Sequence, residues 1–246
     1  MRYLVLSDIH SNWEALEAVL RHAGGAHDAI VCLGDLVGYG ADPNRVVEWA
    51  RKEVSVAIRG NHDKAAVGLL DPAWFNPAAR EAAEWTASVL TPENYAYLRR
   101  LPRGPLSVGQ FQIMHGHPAD EDEYLWDLAT PDDVLPFLAR PLAFFGHTHI
   151  QGGFRLRRGA VSGLEDVAEG EAGFRVALLP GWKYLINPGS VGQPRDGDPR
   201  AAYAIFDTEA AEVELRRCVY AVEVAQAKIL RAGLPAVLAE RLKAGV

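Results

Sequence analysis

Five short apolar runs in this sequence each end in glycine, a carboxylate, an amide or an imidazole, and that repetition limits what the chain can fold into. The runs are Tyr3–Ser7, Asp28–Leu33, Val54–Ile58, Phe111–Met114 and Leu142–Phe145. Each has the length of a buried strand. They are followed by Asp8-Ile9-His10, Gly34-Asp35, Gly60-Asn61-His62-Asp63, His115-Gly116-His117 and Gly146-His147-Thr148-His149. Side chains just beyond the ends of sheet strands converge on one edge, where α/β proteins build their sites.

Helical patterns separate the first three runs. Trp13–Ala23 carries Leu16, Val19 and Leu20 on one face and stops at Gly24-Gly25. Pro43 opens a second helix that runs to Arg51, with Val46, Val47 and Trp49 as its apolar positions. Strand, helix, strand, helix, strand predicts βαβ units and a parallel sheet. Residues 64–102 break the alternation. Pro77–Leu90 and Thr91–Leu101 read as two helices, and Trp74, Phe75, Trp85, Tyr95 and Tyr97 lie in this segment. Aromatics at helical spacing pack against one another, and such a pair also serves as a cap beside Gly60–Asp63.

Leu106–Val108 and Phe111–Met114 read as a hairpin around Gly109-Gln110. Asp120–Asp127 reads as a solvated acidic loop running into a short strand, and Pro131–Leu138 as a short helix. Strands are expected at Gly153–Leu156, Phe174–Leu179 and Trp182–Ile186, with the polar Arg157–Gly173 as a long hairpin or a loop. Asn187–Arg200 is a loop dense in Gly and Pro. Ala201–Asp207 and Glu212–Cys218 form a hairpin by pattern, and Val222–Ala232 and Pro235–Lys243 close the chain as helices. With no repeat and no linker, the 246 residues are read as one domain, 64–102 being a helical insert within it.

Composition removes several classes. A formal charge of -7 argues against duplex nucleic acid as a partner. No apolar stretch approaches the ~20 residues that span a bilayer, and the first apolar segment is too short for a secretion signal. Cys32 and Cys218 read as buried free thiols, which fits a reducing cytoplasm. Neither Gly-x-Gly-x-x-Gly nor a phosphate-binding P-loop is present. Gly189-Ser190-Val191-Gly192 has the look of a nucleophile elbow but lies in the Pro-rich loop, away from any strand-to-helix turn.

The donor set points to metal chemistry. In an extended segment residues i and i+2 face the same side, so Asp8 with His10, and His147 with His149, each aim two ligands into one cavity. The donors are too many for one four-coordinate ion, and no thiolate is among them. Nitrogen and oxygen at this count suit two first-row divalent ions such as Mn, Fe, Ni or Zn. Two ions roughly 3.5–4 Å apart suit in-line displacement at phosphorus. A carboxylate, with two oxygens, is the natural bridge, and Asp35 is the best placed.

Asp8-x-His10, Gly34-Asp35, Gly60-Asn61-His62-Asp63, His115-Gly116-His117 and Gly146-His147-Thr148-His149 together resemble the ordered motifs of the calcineurin-like metallophosphoesterase superfamily. Asn187-Pro188-Gly189-Ser190-Val191-Gly192-Gln193-Pro194-Arg195 is similar to its smaller bacterial phosphodiesterase-like branch. The resemblance implies an α/β sandwich of two facing mixed sheets flanked by helices. It implies that Asp8, His10 and His149 hold one metal, that Asp35 bridges, and that Asn61, His115 and His147 hold the second. His62 would be the general acid, kept off the metals to protonate the leaving oxygen of a small phosphoester. The pattern needs only His115 of the pair, although the i+2 spacing of His117 would aim it at the same site. The protein Ser/Thr phosphatases of the superfamily follow their bridging aspartate with an Asp-Arg pair. Here Asp35-Leu36-Val37 stands instead, which counts against protein-phosphatase activity. The resemblance favours phosphodiesters over monoesters, nucleotide-derived substrates such as dinucleoside polyphosphates included. Arg59, Arg195 and Arg200 are the candidates for a phosphate clamp. The rival readings are a non-catalytic scaffold of the same fold and a nuclease.

Overall fold

The structure is a computed structural model that describes residues 1–127, 133–157, 160–164 and 173–246. Its first unit alternates as the sequence predicts: β1 (Arg2–Leu6), α1 (Trp13–Ala23), β2 (Ala29–Cys32), α2 (Pro43–Glu53) and β3 (Val56–Ala57). The three strands pair in parallel, Leu4 opposite Ile30 and Val31 opposite Val56. β3 is shorter than the apolar run that marks it, because only Val56 and Ala57 find ladder partners.

Residues 61–100 contribute α3 (Asn61–Ala66), α4 (Pro77–Val89) and α5 (Pro92–Arg100). The tetrapeptide Gly60–Asp63 is thus the start of a short helix. Asp63 turns back to accept the Gly60 N–H at 3.0 Å, which satisfies a donor that the helix start leaves free. Then come β4 (Leu106–Val108), β5 (Phe111–Ile113), β6 (Leu142–Phe144), β7 (Gly152–Arg157), β8 (Ala160–Gly163), β9 (Gly173–Ala177) and β10 (Lys183–Asn187). β11 (Ala201–Asp207), β12 (Glu212–Cys218), α6 (Val222–Arg231) and α7 (Ala236–Ala244) complete the described chain. The polar stretch after β7 turns back as β8, so the hairpin reading holds for its first part, while residues 165–172 lie outside the described residues. Of the helix expected over Pro131–Leu138, residues 131–132 lie outside the described residues, and Leu135–Phe137 forms a single 3-10 turn.

Two sheets result, with orders β3-β2-β1-β11-β12-β9 and β4-β5-β6-β10-β7-β8. Both are mixed. Their facing sides meet in one core, where Val5, Val31 and Phe206 of the first sheet pack with Phe111, Phe144 and Ile186 of the second. The outer face of the first sheet carries Leu4, Leu6 and Cys32 against Leu16 and Val19 of α1 and Val46 of α2. Burial on both faces explains why these strands read as continuous apolar runs rather than as alternating ones. β1, β2 and β3 in one sheet, and β5 and β6 in the other, deliver their C-terminal ends to the same edge of the sandwich. Among the described residues no helix is long and apolar enough to cross a membrane.

Candidate metal centre

Each predicted ligand except Asn61, which opens α3, sits where a strand gives way to a loop, and the backbone there is unusual. Asp8, His10, Asp35, His147 and His149 all have positive φ, between 49° and 67°. Non-glycine residues rarely adopt this region, and it concentrates where surrounding structure forces a side chain into a site. Glycine lets the loops close up. A Cβ on Gly60 would stand 2.1 Å from Asp35 Oδ1, and one on Gly146 would stand 2.0 Å from Ser7 Oγ.

The convergence produces two overlapping sets. Asp8, His10, Asp35 and His149 present ligand atoms within 4.8 Å of one another, and Asp35, His115 and His147 do the same. All are buried. Asp35 belongs to both sets. Its Oδ1 accepts the His62 backbone N–H at 2.9 Å, while its Oδ2 is sealed from solvent with no hydrogen-bond partner. Asn61 joins the second set, its Oδ1 lying 3.2 Å from His115 Nε2.

The imidazoles are locked for coordination. His10 Nδ1 donates to the Val37 carbonyl at 3.0 Å, His115 Nδ1 to Leu33 at 2.8 Å and His149 Nδ1 to Gln193 at 2.5 Å. This turns Nε2 of each toward the cluster, the arrangement in which backbone carbonyls orient metal-bound histidines; at His10 and His149 it is a lone pair, while at His115 it faces the oxygens of Asn61 and Asp35. His147 is turned the other way: its Nε2 lies 3.1 Å from the Asp122 carbonyl, which leaves Nδ1 for the cluster. His10 Nε2 and His149 Nε2 face each other at 3.1 Å. Two lone pairs at that distance repel unless a cation lies between them, and about 3 Å is the separation of two nitrogens that share an ion ~2.1 Å away. The residues present therefore fit a divalent metal.

The electrostatics favour the ligating form at His10, His147, His149 and Asp35, whereas Asp8 and His115 must give up protons to a metal. Burial holds the His10 and His149 rings far below the usual imidazole value, and it brings His147 down to about 3. These rings are neutral, as ligands must be. Burial also opposes ionisation of Asp35, but His115, His62 and His10 outweigh it and hold its carboxyl well below the ordinary range. Burial, reinforced by Asp35, raises Asp8 to about 6 against the pull of His115. For His115, burial is outweighed by Asp35 and Asp8, and its value climbs to about 10.

His62 lies beside the cluster and belongs to neither set. Its ring packs against Tyr39 at 4.4 Å, Phe75 at 4.6 Å and His10 at 4.9 Å, and its Nδ1 has no partner. Burial, with Arg195 and His115 adding to it, lowers it to about 4. Asp63 braces the loop: besides Gly60 it accepts the Val37 N–H at 3.2 Å. His117 points away, accepting from the Ala119 N–H at 3.2 Å and resting near Phe137.

Three supports were not foreseen. Asn187–Arg195 is more than a Gly-rich loop. Val191 and Gly192 donate to the Ser7 and Asp8 carbonyls, Ser190 Oγ bonds Asp8, and Asn187 holds Gly146 and Thr148. Asp120–Asp127 is solvated only in part, with Asp120, Glu123, Trp126 and Asp127 exposed, and the short strand expected after it falls on residues 128–132, outside the described residues. Glu121 is buried and paired with Arg59 at 2.8 Å and Lys64 at 3.0 Å. Tyr124 stacks on His147, with ring centroids 3.9 Å apart. Tyr39, the third, stands between His10 and His62. The acidic composition of 120–127 had hidden the loop's bound state, since ion pairing depends on what the loop meets in the fold.

Two six-stranded mixed sheets, flanked by helices and holding a buried Asp/His cluster at the ends of parallel strands, define a metal-binding α/β sandwich. The calcineurin-like phosphoesterase superfamily domain matches residues 1–211, and the chain belongs to that superfamily of hydrolases. An uncharacterized protein of Methanocaldococcus jannaschii is 38% identical over 98% of this chain and 97% of its own. The crystal structure of a metallophosphoesterase from Sphaerobacter thermophilus is 40% identical, covers 100% of this chain and 99% of its own, and superposes with a TM-score of 0.83. A hypothetical protein of Pyrococcus horikoshii shares the fold at 19% identity, covering 100% of this chain and 98% of its own, with a TM-score of 0.76.

Proposed function

We propose that this protein is a cytoplasmic phosphodiesterase with a dinuclear metal centre, acting on a small organic phosphodiester. The observation that carries the reading is Asp35, one buried carboxylate common to two ligand sets, whose Oδ2 lies 3.5 Å from His115 and 3.6 Å from His10 without a hydrogen bond of good geometry. Asp8, His10 and His149 would hold one ion, and Asn61, His115 and His147 the other. Mn²⁺ is the first candidate and Fe, Ni or Zn are the others, because the donors are nitrogen and oxygen without thiolate. Bound there, such ions supply Lewis acidity toward a phosphoryl oxygen and toward water.

The chain's own groups do the rest. His62 stands beside the cluster, lines the adjoining cavity and acts as the proton donor to the departing oxygen. An entering phosphoryl anion favours the protonated imidazole, countering the burial that holds His62 near 4. Beside His62 opens a cavity of about 380 Å³, bordered by Tyr39, Phe75, Trp74, Tyr124 and His147. Its volume exceeds what a phosphate group needs, and its aromatic walls suit the organic arms of a diester, nucleosides among them. Free buried Cys32 and Cys218 fit a reducing compartment.

A panel of phosphodiesters, phosphomonoesters, phosphopeptides and short nucleic acids, run with several divalent ions, tests the reading. Diester hydrolysis that chelation abolishes and Mn²⁺ restores is the expected result. Full turnover after metal stripping, or inertness of the metal-replete protein to the whole panel, would defeat it.

A further inference from the structure

The three arginines that the sequence offers near the site end in different situations. Arg59 is spent on Glu121 at 2.8 Å. Arg200 is spent on Asp198 at 2.6 Å. Arg195 has no such partner: among the described residues no carboxylate pairs with it. Its Nη2 donates to Tyr39 Oη at 3.1 Å and to Gln193 Oε1 at 3.2 Å, and Tyr124 offers another phenol oxygen. Its Nε is sealed from solvent and has no acceptor. A guanidinium surrounded by neutral acceptors, with one N–H unsatisfied, is a costly arrangement unless an anion completes it.

Its position says which anion. Gln193, two residues earlier, orients His149, and the Arg195 backbone N–H donates to the His149 carbonyl. Tyr39, which holds the guanidinium, packs on both His10 and His62. The charge reaches the cluster as well, depressing His149, His10 and His62. Arg195 is therefore a neighbour of the His10–His149 side of the cluster and of His62, the groups between which the proposed reaction puts phosphorus. A guanidinium offers a planar fork of N–H groups that matches two oxygens of a phosphoryl group.

We infer that Arg195, steadied by Tyr39 and Gln193, is the substrate's anion anchor and binds non-reacting oxygens of the phosphoryl group. The inference rests on the phosphoesterase reading for the identity of the anion. Tyr39 and Gln193 hold the guanidinium, so the anchor is formed before the ligand arrives and loses little entropy on binding.

Calorimetric titration of inorganic phosphate into Mn²⁺-loaded protein tests it, with metal content measured in parallel. Arg195→Gln is expected to keep its metal, to bind phosphate roughly 10- to 100-fold more weakly and to raise the KM of a model diester more than it lowers kcat. Arg195→Lys, with the charge but not the fork, is expected to fall between the two. Wild-type phosphate affinity in the Gln variant overturns the inference. So does a loss of phosphate binding that merely follows loss of metal. If the Gln variant does not fold, the wild-type protein decides: phosphate should shield Arg195 from phenylglyoxal, read by peptide mass spectrometry, while exposed Arg21 reacts regardless. Equal labelling of Arg195 with and without phosphate, or no labelling at all, overturns it too. A protein inert to every phosphoester that still binds phosphate through Arg195 would remove the hydrolase reading alone.

Discussion

His62 shows how much one side chain's work depends on its neighbours. It shares a helix turn with Asn61 and yet stays off both ligand sets, because its backbone N–H is fixed to Asp35 and its ring is held by Tyr39 and Phe75. Replacing His62 with Ala should leave the metal content unchanged and lower kcat on a diester by roughly 10²- to 10⁴-fold. Turnover at the wild-type rate would show that the proton comes from elsewhere. The ligand types were legible in the sequence because coordination needs particular side chains: Asp8, His10, Asp35, His115, His147 and His149 announce themselves at strand ends. The groups that aim them were not. Val37, Leu33 and Gln193 act through carbonyl oxygens that every residue carries, so no side-chain pattern marks them. Tyr39 and Tyr124 read as ordinary aromatics until the fold brings them beside His62 and His147.

Among the elements, the strands were read well and their ends less so. Val54–Ile58 shrinks to Val56–Ala57 because a strand stops where its hydrogen-bond partners stop, whereas apolarity continues into the core. The loop at 120–124 was misread, and it is the piece of the site most dependent on ion pairs. Glu121 ties it to Arg59 and Lys64, and Lys64 also holds Asp122 at 2.6 Å. That tether fixes the Asp122 carbonyl against His147 and stacks Tyr124 on the same ring. Burial works against the Glu121 carboxylate, but Arg59 and Lys64 prevail and hold it below its ordinary value of 4.5. A carboxyl so depressed stabilises the fold above its unfolded pKa and loses that contribution as pH falls. Glu121→Gln should therefore melt lower at neutral pH, by roughly 4–8 °C for about 2 kcal/mol. The gap should close as the pH drops below about 4.5 and through the depressed folded value. A gap that stayed constant from pH 7 to pH 3 would contradict the ion-pair account.

At the scale of the whole molecule, buried polar atoms without hydrogen-bond partners gather at and around the cluster, Asp35 Oδ2 and His62 Nδ1 among them. An ion that binds only the folded chain stabilises it by mass action, by about 2.7 kcal/mol at a hundredfold excess over Kd. Chelation should accordingly lower the melting temperature by roughly 5–10 °C, with Mn²⁺ restoring it, as read by calorimetry. An unchanged transition would mean that the sandwich does not need its metals to stand. The sandwich itself was legible because its two sheets are built from local units of strand, helix and hairpin. Which sheet each strand joins was not, since β1 finds β11 from the far end of the sequence, with Leu4 opposite Ile205. That pairing, together with the bonds from Val191, Gly192 and Ser190 back to Ser7 and Asp8, governs the order of events during synthesis. Every proposed ligand and the proton donor have left the ribosome once His149 has. The brace that sets Asp8 in place comes more than thirty residues later. A nascent chain thus carries all of the proposed ligands before the segment that braces Asp8 has been made.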